Sequence, residues 1–460
     1  MRIGGVLLLL LAAVPGNGAP IAIYDAGAPA GREVISAPAN GRRLRVRTAG
    51  FAEDAYLLSL SPDSRWMAVL LLAPPLGDRG SLLLGRTRGG AFLDATAGLD
   101  GRPLTTAFAP DGRTLFFEHR NGSDGRSDLY RLETVRRRRS VLTADLAGSV
   151  SAPGGAGVLA AGPGDRLAFL HELPGRRALF LAADGTIRDL TAPLGEGVVL
   201  DDFAFLDDGR LLFRFTPEGA ALPTLFAHDG ATVPVAAEVR SFAVSGDSFA
   251  ALRPGALRVF RPSGTQDFGA GETVLGFRLD HGRVTLVTAG GGGARVHLGT
   301  ADGSVEVLGD RSIESVENLR FAGEALLVVT REAGARRLWH VGPAGATEPA
   351  AGLSGELGAF LGVAPGGDLL VFARLDPGGA SGSLLAWHPD SGAIRDLSGA
   401  LAHPTVPGEA VFPSAGNEVL YTLKVGPTRE PRLFLWRRRP DRTTALSLPG
   451  LTVGRFALAR

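Results

Sequence analysis

The chain has 460 residues, a formal net charge of +1 at pH 7 and no cysteine. A charge balance this close to neutral argues against general nucleic-acid binding, because such a surface needs a basic field. The lack of cysteine excludes disulfide bonds, thiol catalysis and thiolate metal sites. Glycine accounts for 65 residues, about twice its ordinary share, as a chain with many tight turns requires.

The first 19 residues have the pattern of a secretory signal peptide. A positive start is followed by an apolar stretch, Val6 to Val14, and by a small, turn-forming end, Pro15 to Ala19. We expect cleavage after Gly18 or Ala19. The apolar stretch is shorter than the ~20 residues of a membrane helix, which favours cleavage over the alternative of a membrane anchor. No second stretch of membrane length follows, and lipidation needs a cysteine. We therefore predict a periplasmic or secreted domain, not a lipoprotein, over residues 20–460.

One sequence motif then recurs nine times: an apolar strand, a tight turn and a second apolar strand. The clearest copy runs from Ala107 to Phe117. Proline presets φ at the first corner of such a turn, Asp bonds to its own backbone, and Gly relieves the steric limit at the last position. The turns lie at Leu60–Asp63, Phe108–Asp111, Gly162–Asp165, Phe205–Asp208, Val244–Asp247, Leu279–Gly282, Phe321–Gly323, Val363–Gly366 and Phe412–Asn417.

A third strand and a weaker fourth strand follow the hairpins. Third strands are predicted at Ser81–Leu84, Leu129–Leu132, Ala178–Leu181 and Ser383–Trp387, and fourth strands at Ile187–Thr191 and Ile394–Ser398. Steps of 48, 54 and 43 residues separate Asp63, Asp111, Asp165 and Asp208, which is the period of a propeller blade. The sequence therefore predicts an all-β fold, a single β-propeller of four-stranded blades. We predict eight blades, within a range of seven to nine.

The two ends of the repeat region look incomplete. The head, Ile21–Asp25, resembles a lone third strand, and the tail, Val453–Ala459, resembles a lone first strand. We therefore predict that the N- and C-terminal strands pair within one blade, which would close the ring and remove its open edges.

The repeat also resembles a known family. Phe108-Ala109-Pro110-Asp111-Gly112, followed by Asp128-Leu129-Tyr130-Arg131-Leu132, is similar to the TolB-like or WD-like β-propeller repeat of bacterial envelope proteins. The same repeat builds the propeller halves of prolyl-oligopeptidase-type enzymes. The resemblance covers nearly the whole mature chain and implies a fold rather than an activity. After the third strand, where the family repeat has a polar residue, this chain varies freely.

No catalytic constellation is visible in the sequence. The nucleophile elbow G-x-S-x-G, the zinc motif H-E-x-x-H and the phosphate loop are all absent. The acidic residues Asp201, Asp202, Asp207, Asp208, Asp124 and Asp128 do not reproduce a calcium-loop spacing. We therefore predict no catalytic residue, no metal ligand and no cofactor, and leave the ligand-binding residues unknown.

Repeated histidines and tryptophans allow two interpretations. The histidines are His228, His297, His340 and His388 near the ends of third strands, with His119 and His171 at the ends of second strands. Equivalent positions share one face of a ring, so a metal or proton-relay site is conceivable. Neighbouring copies should lie too far apart to share one metal ion, however, so random sequence variation at exposed strand ends is favoured. Trp339, Trp387 and Trp436 lie in third strands. Packing between blades is favoured for them over a sugar-stacking platform.

Arginines form two runs, Arg136–Arg139 and Arg437–Arg439, each after a third strand. Solvated loops are favoured there, with an anionic partner such as lipid head groups or acidic glycan as the alternative. Five further arginines follow hairpin turns, and we expect them to close the turns electrostatically. They are Arg65, Arg113, Arg166, Arg210 and Arg283.

Two functions remain open. The favoured one is a non-catalytic binding scaffold, monomeric, for a protein or an envelope polymer but not for nucleic acid. The alternative is a carbohydrate-active lyase or glycosidase with its site at the mouth of the central channel. Convergent His, Asp or Glu side chains within ~5 Å of one another would favour the enzyme.

Overall fold

The structure is a computed structural model. The residues it describes are 21–28, 31–38, 44–49, 51–72, 79–150, 158–290, 293–300, 303–309, 311–353, 355–364, 366–376, 381–399, 405–412, 418–425, 430–438, 441–447 and 452–459. The predicted signal peptide, Pro365, the turn residues 413–417 and Arg439 lie outside them.

The described residues form ten four-stranded antiparallel sheets, each of which is one blade. Blades 1 to 3 are β4 (Asp54–Leu60), β5 (Trp66–Leu72), β6 (Gly80–Arg86), β7 (Leu93–Asp94); β8 (Gly101–Phe108), β9 (Thr114–Asn121), β10 (Ser127–Glu133), β11 (Arg138–Val141); and β12 (Leu159–Gly162), β13 (Arg166–Leu173), β14 (Arg176–Ala183), β15 (Thr186–Asp189). Blades 4 to 6 are β16 (Gly197–Phe205), β17 (Leu211–Pro217), β18 (Thr224–Asp229), β19 (Ala231–Ala236); β20 (Ser241–Ser245), β21 (Ser248–Arg253), β22 (Ala256–Arg261), β23 (Gly264–Phe268); and β24 (Val274–Asp280), β25 (Arg283–Gly290), β26 (Gly293–Thr300), β27 (Gly303–Glu306).

Blades 7 to 9 are β28 (Ser315–Ala322), β29 (Ala325–Glu332), β30 (Ala335–Gly342), β31 (Gly345–Thr347); β32 (Glu356–Val363), β33 (Leu370–Leu375), β34 (Gly382–Trp387), β35 (Ile394–Asp396); and β36 (Thr405–Val411), β37 (Glu418–Val425), β38 (Glu430–Arg437), β39 (Arg442–Ala445). Blade 10 combines β40 (Thr452–Ala459) with β1 (Ile21–Ala28), β2 (Gly31–Pro38) and β3 (Arg45–Val46). A short 3-10 helix, Ala192–Leu194, links blades 3 and 4.

Each blade packs on the next through buried apolar side chains. Ten clusters of such residues occupy the ten interfaces between neighbouring blades. The cluster between blades 9 and 10 contains Tyr24, Leu433 and Leu435, and the cluster between blades 10 and 1 contains Ile23 and Met67. Because this packing continues across the join between the chain ends, the propeller is a closed ring.

The prediction of an all-β propeller with four-stranded blades is confirmed, but the predicted count of eight blades is wrong. The strands that flank each of the nine predicted turns form a separate blade, including those of the degenerate copies, so no copy could be discounted. The terminal strands then add a tenth blade that has no recognisable hairpin turn. The ring is therefore larger than the four to eight blades of most propellers.

Pairing of the terminal strands closes blade 10, as predicted. β1 runs antiparallel to β40, with Ile21 opposite Ala459 and Gly27 opposite Thr452. The assignment of Ile21–Asp25 to a lone third strand is wrong, because β1 is the second strand and the N-terminal segment supplies three strands in all. The buried Asp25 carboxylate accepts hydrogen bonds from the Arg32 side chain and from the backbone N–H of Leu57 in blade 1, at 3.2 Å for the latter.

A recurrent hydrogen-bonding device follows the fourth strand. In blade 3 the carboxylate of Asp189 accepts from the N–H and hydroxyl of Thr191, whose oxygen in turn accepts from the N–H of Leu179 on the third strand. Asp94 with Thr96 in blade 1 and Asp396 with Ser398 in blade 8 do the same. The device ties the weak outer strand of a blade to its buried interior.

Candidate functional site

First strands contact each other between most neighbouring blades, for example β4 with β8 and with β40, so they are the strands nearest the central channel. Eight of these ten strands contain one or two extra residues opposite their second strand, that is, at least one β-bulge. The irregularities lie at Leu57/Ser59, Pro103/Thr106, Val199/Phe203, Val274/Gly276, Val316/Asn318, Leu357/Phe360/Gly362 and Pro407/Ala410, and in β40 opposite Tyr24/Ala26. Bulges twist an open edge and redirect side chains, so the channel wall does not offer a flat strand edge for pairing.

Acidic side chains on the first strands are held by arginines of the second or third strand. Glu317 lies 2.8 Å from the Arg331 guanidinium and 2.6 Å from that of Arg336. Asp202 lies 2.6 Å from Arg214, although burial still raises the pKa of its carboxyl. Asp201 pairs with an arginine of blade 3, Arg177. These carboxylates are therefore occupied in ion pairs.

The structure places the other acidic residues in hairpin turns and ion pairs. Asp208 pairs with Arg210 at 2.7 Å, and Asp207 donates its N–H to the carbonyl of Gly246. Asp124 accepts the N–H of Arg126, whose guanidinium lies 3.1 Å from Asp128. Among the described residues, no group of three or more His, Asp or Glu side chains is placed to hold a metal ion.

Of the eight histidines in the chain, the six singled out from the sequence lie in six different blades, each with a local contact. The His340 ring packs edge-on against the Trp387 ring of the next blade, with 5.1 Å between the ring centroids. The centroids of the His388 and Trp436 rings are 6.5 Å apart. The remaining contacts are His228 with Thr232, His297 with Thr288, His119 with Tyr130 and His171 with the carbonyl of Ala147. Burial lowers the pKa of His119, His171, His228 and His340.

The tryptophans are buried between blades, as favoured from the sequence. Trp387 and Trp436 each belong to the apolar cluster between their own blade and its neighbour, and Trp339 packs between blades 6 and 7. The indole N–H of Trp339 donates to Thr330 at 3.0 Å and to Glu332 at 2.9 Å. These three rings are components of the core.

Because the strands of each blade are antiparallel, the turns between first and second strands lie at the same end of the ring as the turns between third and fourth strands. We call this end the hairpin face. Neighbouring turns contact one another. Thr114 donates to Asp165, Arg166 to the carbonyl of Gly209, and Arg283 to the carbonyl of Gly323 at 2.6 Å. Further contacts join the turns of blades 4, 5 and 6, through Asp207 with Gly246 and Ser245 with His281. A Cβ on Gly112 would lie 2.7 Å from Oδ1 of Asp63, so blades 1 and 2 also touch here.

The turn arginines therefore have two roles rather than the single one expected. Arg210 reaches the Asp of its own turn at 2.7 Å, and Arg65 and Arg113 do so at 3.6 and 3.9 Å. Arg166 and Arg283 bridge to the next blade, where their guanidinium groups also lie over Phe205 and Phe321. Arg283 has both roles, because it also pairs with Asp280 of its own turn at 2.7 Å. Links between blades of this kind brace the hairpin turns of blades 1 to 7 against one another.

Charge on the hairpin face is divided between sectors. Exposed carboxylates occupy the turns of blades 3 to 5, at Asp184, Asp207, Asp208, Asp229 and Asp247. The sector around blade 1 is basic instead. It contains Arg47, Arg65, Arg86, Arg88, Arg136 and Arg137 together with the carboxylates of Asp63 and Glu133, and it adjoins the Arg113–Asp111 pair of blade 2. We call this group of six arginines the basic sector.

A pocket of about 370 Å³ lies within the basic sector. Its walls include Arg65, Trp66, Arg86 and Arg88 of blade 1 and Val135 of blade 2. The Arg86 guanidinium lies over the Trp66 ring, 5.4 Å from its centroid. Among the residues that the structure describes, neither Arg86 nor Arg88 forms an ion pair, so their charges are available to a ligand.

Neighbouring blades complete this pocket. The Arg47 guanidinium, from blade 10, donates to the carbonyl oxygens of Thr87 at 2.9 Å and Arg86 at 3.0 Å. Thr134 donates its N–H to the carbonyl of Arg113 at 2.8 Å, which fixes the loop that carries Val135 beside the turns. Sequence reasoning missed the pocket, although it singled out Arg65 and the Arg136–Arg139 run.

Some arginines of both runs form hydrogen bonds or ion pairs, which the side chains of a fully solvated loop would not do. Arg139 donates to the carbonyls of Ala95 and Ala97 in blade 1, and Arg136 lies 3.6 Å from Glu133. In the second run, Arg437 pairs with Glu418 at 2.8 Å and Arg438 with Asp368 at 3.6 Å.

No model of a known protein family matches the chain, and no curated protein resembles it in sequence. Among solved structures it is similar to the propeller domain of the Trilobed protease from Pyrococcus furiosus, at 11% identity over 86% of this chain and 98% of that one, with a TM-score of 0.36. TolB from Acinetobacter baumannii gives 16% identity, 63% coverage of each chain and a TM-score of 0.28. Dipeptidyl peptidase 4 from Porphyromonas gingivalis gives 10% identity over 92% of this chain and 58% of that one, with a TM-score of 0.42.

The chain spans 49% of the tricorn protease and 55% of the prolyl endopeptidase to which it is also similar. The resemblance to the TolB-like repeat is confirmed at the level of fold, and at these identities the similarity concerns fold alone. No helical segment in the described part of the chain has the length and hydropathy of a membrane span.

Proposed function

We propose that this chain is a periplasmic or secreted, non-catalytic binding propeller that engages a protein or envelope polymer through its hairpin face. The observation that carries the proposal is the bracing of that face. Hydrogen bonds such as Arg166 to Gly209 and Arg283 to Gly323 join turns of different blades into one surface. A surface fixed in this way loses little conformational entropy when a partner binds, which favours affinity.

The charge pattern supports the same face. Exposed carboxylates are concentrated in the turns of blades 3 to 5, beside Arg166 and Arg210, whereas Arg86 and Arg88 of the basic sector form no ion pair among the described residues. A partner of complementary charge would therefore be oriented as it approaches. Val135, which is 71% exposed at the edge of the basic sector, adds an apolar contact point.

Site-specific photo-crosslinking in the host envelope tests this proposal. A photoreactive amino acid would replace Val135 on the hairpin face or, as a matched control, Val198, an equally aliphatic residue that is 58% exposed at the opposite end of a first strand. We expect a reproducible adduct from position 135 and none from position 198. An adduct from position 198 alone, an absence of adducts from both, or turnover of polysaccharide by the purified chain would contradict the proposal.

Export is part of the proposal and rests on residues 1–19. Fractionation of the host, with N-terminal sequencing of the recovered chain, should find it outside the cytoplasm and beginning at Ala19 or Pro20. A cytoplasmic chain that keeps Met1 would show that the segment is not a signal peptide.

A further inference from the structure

We infer that the pocket of the basic sector binds an acidic sugar unit, a uronate or a sulfated sugar, of an anionic polysaccharide. The inference rests on the proposed binding function and deepens it by naming the class of ligand. It follows from three features of the pocket: its unpaired charges, its apolar walls and its continuation along the face.

The first feature is the pair of arginines, Arg86 and Arg88, that form no ion pair among the described residues. Arg86 and Arg88 project from neighbouring positions around the buried Thr87, and the Arg47 guanidinium lies directly against the backbone between them. The carboxylate of Asp63, in the hairpin turn of blade 1, accepts the Ser61 hydroxyl at 2.6 Å and lies 3.6 Å from the Arg65 guanidinium. Guanidinium groups bind carboxylates and sulfates through paired hydrogen bonds, so this arrangement suits an oxyanion.

The apolar walls decide between a sugar and a bare oxyanion. The edge of Trp66, the side chain of Val135 and the arginine stems form much of the lining. A sugar ring has a face of C–H groups that packs on such surfaces, whereas inorganic phosphate would leave them wet. The volume of about 370 Å³ is at the small end of the range for ligand pockets and holds about one or two sugar rings.

Beyond the pocket, the positive charge continues along the loop of blade 2. Arg136 is 81% exposed and Arg137 is also exposed, and both follow Val135 directly. A polymer with an anionic group on each unit would place its next charge over these arginines. A chain of acidic sugars therefore fits the site better than a single small anion does.

Isothermal titration calorimetry of the mature chain tests the inference. The probe is β-1,4-linked tetramannuronate, and mannotetraose is the neutral control. We expect tetramannuronate to bind, with a Kd that rises at least tenfold in the double variant Arg86→Gln, Arg88→Gln, and mannotetraose not to bind. The matched control variant, Arg188→Gln with Arg210→Gln, removes two arginines from blades 3 and 4 and should change the Kd less than twofold. Higher salt should weaken binding to the wild-type chain.

Three outcomes would overturn the inference. One is the absence of tetramannuronate binding at millimolar concentration. Another is an equal loss of tetramannuronate affinity in both double variants, which would mean that only the total charge of the protein matters. The third is inorganic phosphate, or anionic lipid vesicles, binding as tightly with the same dependence on Arg86 and Arg88. In each case a crosslink from position 135 would leave the proposed binding function standing, whereas the absence of that crosslink would remove the proposed function itself.

Discussion

At the scale of single residues, a few buried polar side chains join one blade to the next. The hydroxyl of Tyr24, on β1 in blade 10, donates to the carbonyl of Leu446 in blade 9 at 2.8 Å. The hydroxyl of Tyr421, on β37 in blade 9, donates to the carbonyl of Leu397 in blade 8 at 3.0 Å. Both tyrosines are completely buried, and burial raises the pKa of Tyr24 to about 12. Each hydroxyl satisfies a carbonyl that water does not reach.

Removing either hydroxyl should destabilise the ring. Tyr24→Phe and Tyr421→Phe each leave a buried carbonyl without its partner, which costs about 1–3 kcal/mol in the free energy of unfolding. Urea unfolding measures this change. Tyr56→Phe is the control, because within the described residues the Tyr56 hydroxyl makes no hydrogen bond, and we expect a change of about 0.5 kcal/mol or less. Equal effects at all three positions would contradict the assigned role.

A buried histidine should make stability depend on pH. The His171 ring is fully buried, with Nε2 2.7 Å from the Ala147 carbonyl, and burial lowers the pKa of the imidazole. Below about pH 6.5 the unfolded chain then binds a proton that the folded chain excludes, so stability falls as pH falls toward the lowered folded-state pKa. His171→Gln keeps an amide donor but does not titrate.

We therefore expect the wild-type chain to exceed His171→Gln in stability at pH 7.5 and this difference to narrow at pH 5.5. Urea midpoints at both pH values measure it. A difference that stays constant or widens at low pH would show that the imidazole is not held neutral by the fold.

At the scale of strands and blades, the repeat unit could be predicted and the number of units could not. Apolar runs such as Trp66–Leu72 identify second strands that are buried on both faces, and the Pro/Asp/Gly turns fix their starts. The degenerate turn at Phe321–Gly323 has only the glycine, yet the same packing on both sides makes it a full blade. The count failed because tertiary packing, not turn chemistry, decides whether a weak copy forms a blade.

The last strand is the element on which ring closure depends. Deletion of residues 451–460 removes β40, which leaves β1 as an open inner edge and exposes the apolar cluster shared with blade 9. We expect the melting temperature to fall by many degrees. Adding a synthetic peptide of residues 451–460 should restore part of the loss. An unchanged melting temperature would contradict closure by the terminal strands.

At the scale of the whole molecule, sites arise from parts of the chain that are distant in sequence. The pocket of the basic sector combines Trp66 and Arg86 of blade 1 with Val135 of blade 2, beside Arg47 of blade 10. Sequence patterns could identify the arginines but not which loops lie side by side, because that depends on blade order and on the angle between blades. The Arg136–Arg139 run shows this: Arg136, Arg137 and Arg138 are exposed, as expected of a solvated loop, but Arg139 reaches the carbonyls of Ala95 and Ala97 in blade 1.

The closed ring of ten blades depends on the meeting of the chain ends, because β40 pairs with β1 there to form blade 10 between blades 9 and 1. The natural chain has no cysteine, so an engineered pair can test closure directly. Gly27 and Thr452 are opposite each other in the pairing of β1 with β40, a separation that a disulfide bond can span. The control pair joins Gly27→Cys to Thr347→Cys, on β31 in blade 7.

The decisive measurement is the migration of both double variants on a non-reducing gel after mild oxidation of the folded protein. We expect Gly27→Cys with Thr452→Cys to form an intramolecular bond and run as a more compact, nearly circular chain, and the control pair to keep two free thiols. Free thiols in both variants would show that the terminal strands do not pair, and the closed ten-bladed ring would then be wrong.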